Sequence, residues 1–72
     1  MTKHSYSEFK RILFAETTYI LGVFRIDDLW RGSVLVLSSE AQSWHRSRLA
    51  RETRDEACRD AEADAEHMIQ RG

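Results

Sequence analysis

The sequence predicts a small α+β domain, an antiparallel sheet of three to four strands with one C-terminal helix packed on one of its faces. Three observations carry this expectation: a capped, alanine-rich amphipathic run at the C-terminal end, two β-branched and aromatic runs before it, and the absence of any linker between them. With 72 residues the chain is expected to form one domain, residues 1–72, around a single core. At this size a core alone supplies only a few kcal/mol, about 3–5, unless something staples it. A partner or self-association is therefore part of the expectation.

The helix is the clearest element. Residues 53–56 read T-R-D-E, a capping box in which Thr53 accepts from the amide three residues on and Glu56 reaches back, so the helix is predicted over 54–71. Its length would be about 27 Å at 1.5 Å per residue. Ala57, Cys58, Ala61, Ala65, Met68 and Ile69 recur at helical spacing, and charged residues occupy the rest. Such small side chains predict that the helix axis lies close to the layer it covers.

Residues 18–26 (TYILGVFRI) and 33–37 (SVLVL) are predicted as two strands, joined antiparallel by the six-residue DDLWRG. Residues 44–50 (WHRSRLA) are read as a further strand, with Trp44, Arg46 and Arg48 on one face and His45, Ser47 and Leu49 on the other. The stretch 5–16 (SYSEFKRILFAE) supports two readings. Tyr6, Phe9, Ile12 and Leu13 share a helical face after a second capping-box pattern, S-Y-S-E, whereas Ile12 and Phe14 alternate with Arg11 and Leu13 as in a first strand paired to the next.

Eleven Lys and Arg against twelve Asp and Glu leave a formal charge of −1, which argues against global attraction to nucleic acid or an anionic membrane. The charge is uneven, +2 over residues 1–50 and −3 over residues 51–72. Cys58 is the one cysteine, so neither an intrachain disulfide nor a cysteine-rich zinc site is expected, and a reducing, cytoplasmic setting fits. No apolar run approaches the roughly 20 residues of a membrane span.

Enzymatic chemistry is not expected. His4, His45, His67 and Cys58 show no metal-ligand spacing, and the serines lack a G-x-S-x-G elbow. Gly22 and Gly32 are too isolated for a phosphate loop. Cys58 lies on the stripe predicted to be buried, away from the helix N-terminus that would most lower its pKa. The carboxylates of 55–66 read as a solvated helix face. No cofactor, metal or small-molecule substrate is predicted.

The expected activity is protein binding, by homodimerisation or by docking on a larger complex as an accessory or inhibitory subunit. Trp30, Arg31, Trp44, Arg46 and Arg48 are the candidate contact residues, because Trp and Arg are the types enriched at interface hot spots. An exposed sheet edge offers a second route to another chain. The alternative is nucleic-acid binding through His45, Arg46, Arg48, Arg51 and Arg54, in which guanidinium forks meet phosphate and Trp44 stacks on a base.

With residues 5–16 helical, the order α-β-β-β-α resembles the double-stranded-RNA-binding domain. The likeness rests on about twenty residues around R-E-T-R-D-E-A-C-R-D-A, where Arg51 and Arg54 followed by Ala57 and Ala61 match that family's basic turn and alanines. It implies shape-based RNA binding. Asp55, Glu56 and Asp60 put negative charge where that family grips phosphate, and its G-P-x-H loop has no counterpart, so nucleic acid is the disfavoured partner.

Overall fold

Alternation of apolar residues along the first half of the chain produces strands that pair in chain order. A computed structural model describes residues 4–71; the His4 side chain lies outside the description. Strand β1 is His4–Phe14, β2 Thr17–Ile26, β3 Leu29–Leu37 and β4 Gln42–Arg46, followed by helix α1, Arg54–Arg71. The four strands form one antiparallel sheet in the order β1-β2-β3-β4. The helix lies across one face of it, over β2 and β3, which is the α+β architecture expected, with residues 5–16 as the first strand.

The helix-side face is built from Tyr19, Leu21, Val34 and Val36 on β2 and β3, with Ala61 and Ala65 from above and Met68 and Ile69 at the far end of the helix. Among the described residues Leu21, Val23 and Val34 are the largest side chains buried completely. The helix contributes alanines because it comes very close: a Cβ on Gly32 would strike the Ala57 carbonyl and stand 2.9 Å from the Ala61 nitrogen. The predicted stripe holds at Ala57, Ala61 and Ala65, while Cys58, Met68 and Ile69 are only half-buried.

The capping box forms with one change. The Glu56 amide donates to Thr53 Oγ1 at 3.2 Å, as expected, but the Glu56 carboxylate accepts from the Thr53 hydroxyl at 2.9 Å. Asp55 and Glu56 stand in the first turn and Arg71 in the last, each complementing the helix dipole.

β1 carries an irregularity between Glu8 and Lys10. Before it, Tyr6 and Glu8 point away from the helix; after it, Arg11 and Leu13 do, while Phe9 and Ile12 pack on the core and Lys10 reaches Glu62 on α1 at 3.6 Å. A β-bulge of this kind puts the extra residue out of phase and inverts the alternation.

Two strands differ in their limits from the sequence reading, and the two readings of the N-terminal element are decided. β3 begins at Leu29, not residue 33, so the β2–β3 connection is the two residues Asp27 and Asp28 rather than six. β4 spans Gln42–Arg46 instead of 44–50, because the chain turns at Ser47, whose side chain is buried on Asp64 of the helix. The N-terminal element is a strand, so the order β-β-β-β-α replaces the α-β-β-β-α on which the likeness to the double-stranded-RNA-binding domain depended.

Candidate functional site

The opposite face of the sheet is also rich in apolar residues, and none of the described residues lies over it. Strand pairing sets its rows: Tyr6, Phe24 and Arg31; then Glu8, Gly22, Ser33 and Arg46; then Arg11, Ile20, Leu35 and Trp44; then Leu13, Thr18, Leu37 and Gln42. Antiparallel sheets that bury one side usually turn polar residues to the other. Here Tyr6, Leu13, Ile26, Leu29 and Trp44 remain 38–75% exposed on the open side.

An aromatic cluster occupies the centre. The Tyr6 ring on β1 lies 4.8 Å from Phe24 on β2 and 5.6 Å from Trp44 on β4, and Phe24 lies 6.0 Å from Trp44. Rings on the two outer strands meet because the positions between them are small. A Cβ on Gly22 would come within 2.5 Å of the Tyr6 hydroxyl, and Ser33, fully buried, donates to the Gly22 carbonyl at 3.4 Å. Burial and the nearby Glu8 carboxylate push the Tyr6 phenol up, against the opposing hydrogen bond with Ser33.

Glu8, Arg11, Arg31 and Arg46 are the charged residues of these rows. Glu8 and Arg11 neutralise each other at 2.6 Å. The Arg46 guanidinium lies 5.9 Å over the Phe24 ring, a cation–π contact. Phe24, Ile26, Leu29, Arg31, Arg46 and Ala50, with Asp27 and Trp30 at its edge by the β2–β3 turn, line a depression of about 500 Å³.

The structure thus brings Arg31, Trp44 and Arg46 together on one surface. Trp30 lies on the other side of β3, half-buried, with Arg25 5.3 Å over its ring; its backbone exchanges hydrogen bonds with Arg51 at 2.7 and 2.6 Å. Arg48 follows the end of β4 and is exposed near Arg51 and Asp60. Tyr6 and Phe24 belong to the surface but were not among the sequence candidates. The signal for Phe24 was present, since TYILGVFRI is apolar in both phases of the alternation, as a strand apolar on two sides must be.

The alternative basic set does not converge. Arg51 donates twice to Asp60, at 2.7 and 3.1 Å, and this contact raises its pKa further. His45 Nε2 stands 3.6 Å from Asp64 on the helix side. Arg54 opens the helix beside Asp55 and Glu56, and Arg46 belongs to the open face.

Ser47, 3% exposed, donates to Asp64 at 2.7 Å, so its proton is directed to a carboxylate and not to His45. Burial pushes the half-buried Cys58 thiol up, with Arg54 opposing. Among the described residues no three His, Cys, Asp or Glu side chains are grouped to hold a metal. No described helix is long and apolar enough to cross a membrane.

No protein-family model matches the chain, and no curated protein or solved structure matches it significantly.

Proposed function

We propose that this chain is a non-enzymatic protein-binding module, acting in a reducing, cytoplasmic setting, whose working surface is the open face of its sheet. The observation that carries the reading is the uncovered Tyr6–Phe24–Trp44 cluster with Arg31 and Arg46 beside it. Tyr, Trp and Arg in the centre of an apolar patch are the residue types that dominate binding energy at protein interfaces. A contiguous apolar surface of this kind on a small protein marks a contact site. Nucleic acid is the weaker partner because Arg51 is held by Asp60 and the remaining cations are divided between two faces.

The test is a photo-crosslinking side chain at position 44 in cells that make the protein, with circular dichroism of the purified variant as the fold control. The expected result is a protein adduct from position 44 that disappears when Ile26 and Leu29 are changed to serine, and none from position 59, exposed on the helix. A folded protein that gives no adduct from position 44 removes the face as an interaction surface.

A further inference from the structure

Resting on that reading, we infer that the occupant of the open face is a second copy of this chain, stacked sheet to sheet in a two-fold dimer. Three independent features support it.

The first is area. The folded chain exposes 5386 Å², whereas a monomer of 8.4 kDa typically exposes roughly 4,600 Å². The excess, about 800 Å², is about what each partner contributes to a standard stable interface. Of the seven exposed large hydrophobic residues among those described, five, Tyr6, Leu13, Ile26, Leu29 and Trp44, lie on the open face.

The second is shape. Sheets of the same handed twist pack face to face, aligned to within about 30° and about 10 Å apart, with their side chains interdigitating. The bare face of one twisted sheet is therefore complementary to another like it. A second copy supplies that shape with no further requirement, and the result is a helix–sheet–sheet–helix sandwich with both apolar faces of each sheet covered. Two-fold dimers are also the commonest soluble assemblies.

The third is what the edges exclude. β1 is interrupted by its bulge and bears Lys10, and β4 is only five residues long. Both are devices that discourage strand addition. Association through the sheet is thereby directed to the face.

On the face the Glu8–Arg11 pair is already neutral, Arg46 lies on an aromatic ring that can be buried with it, and Arg31, the remaining cation, shares the depression at the β2–β3 turn with Asp27.

The experiment is sedimentation equilibrium of the full chain from low micromolar to several hundred micromolar, for the wild type and for Trp44→Ser and Leu29→Lys. Both positions are exposed, at 50% and 45%, so the fold survives, which far-ultraviolet circular dichroism verifies. A wild-type mass of two chains, with dissociation strengthened at least tenfold in each variant, is expected. In a Trp30→Phe background the remaining tryptophan should become less quenchable by acrylamide as the dimer forms. A wild-type monomer at every concentration, or a dimer indifferent to both substitutions, overturns the second copy as occupant. The position-44 crosslink separates this failure from that of the wider reading. A monomer that still yields an adduct with a different protein leaves the face as a binding surface with another partner, and a monomer with no adduct removes both.

Discussion

The Tyr6 and Trp44 rings, carried by strands at opposite edges of the sheet, meet edge-to-face at 5.6 Å and 86° across the backbone of Gly22 and Ser33. Aromatic contacts of this geometry contribute about 0.5–1.5 kcal/mol beyond the area they bury. Gly22→Ala should displace the Tyr6 ring and remove the contact, at a cost of about 1 kcal/mol. The near-ultraviolet dichroism should lose its aromatic signal while the helical signal stays. An unchanged aromatic band would mean that Tyr6 does not depend on the gap at Gly22.

Gly32→Ala should be costlier, because its Cβ meets the helix backbone at Ala57 and Ala61 instead of a movable ring. Overpacking of this sort typically costs about 1–3 kcal/mol, and the denaturation midpoint in urea should fall accordingly. A loss smaller than that for Gly22→Ala would show that the helix can lift off the sheet at little cost.

The β1–β2 turn offers a gain. Ala15 and Glu16 both have positive φ, 52° and 65°, the pattern of a type I′ hairpin for which Asn-Gly is preferred. Neither native residue suits it, since the left-handed region costs an L side chain roughly 1 kcal/mol. The double change Ala15→Asn and Glu16→Gly should stabilise the protein by about 1 kcal/mol. At this chain length that corresponds to a rise of about 4–8 °C in melting temperature. No rise would mean that the turn is relieved in some other way.

Stability should fall in alkali. Burial raises the Cys58 thiol pKa above its ordinary value, and burial with Glu8 raises the Tyr6 phenol. An acid whose pKa is raised by folding contributes stability that is complete below its unfolded pKa and is lost as pH climbs through the folded one. Urea midpoints measured from pH 7 to above the ordinary phenol range, roughly 10, should decline. Cys58→Ser should remove the earlier part of the decline and Tyr6→Phe the later part. A flat profile would contradict the burial of both groups.

Thr53→Ala should remove the hydroxyl that accepts from the Glu56 amide and destabilise by about 1 kcal/mol. Thr53→Asn, which retains an acceptor, should restore most of it. Equal losses in the two variants, followed by thermal denaturation, would show that the cap contributes nothing through that bond.

The helix was legible to its limits because local chemistry alone defines it: a cap, an alanine stripe and acidic residues at the start. β1 was ambiguous for a physical reason. Its bulge places Phe9 and Ile12 on the same side, three residues apart, which is the spacing a helix would give. The start of β3 was hidden because Gly32 reads as a breaker, whereas it is a strand residue kept bare by the approach of α1. At the candidate site, Arg31, Trp44 and Arg46 could be found by residue type, but the side of the sheet on which Trp30 falls follows from a two-residue turn at Asp27 and Asp28 that local signals placed inside a longer loop. Tyr6 became part of the surface through its contacts with Phe24 on the neighbouring strand and with Trp44 across two intervening strands, information that no local window contains.

The order β1-β2-β3-β4 joins every strand to its neighbour in the chain through two, two and four residues. No strand waits for a distant one, so the sheet can assemble hairpin by hairpin, with each closure carrying a small entropic cost. The helix is different: Ala61 must find Gly32, almost thirty positions away in the chain. Assembly of this protein is therefore expected to divide into quick zippering of the hairpins and a slower docking step, with Gly32 and the alanines that meet it setting the pace at which the native layer closes.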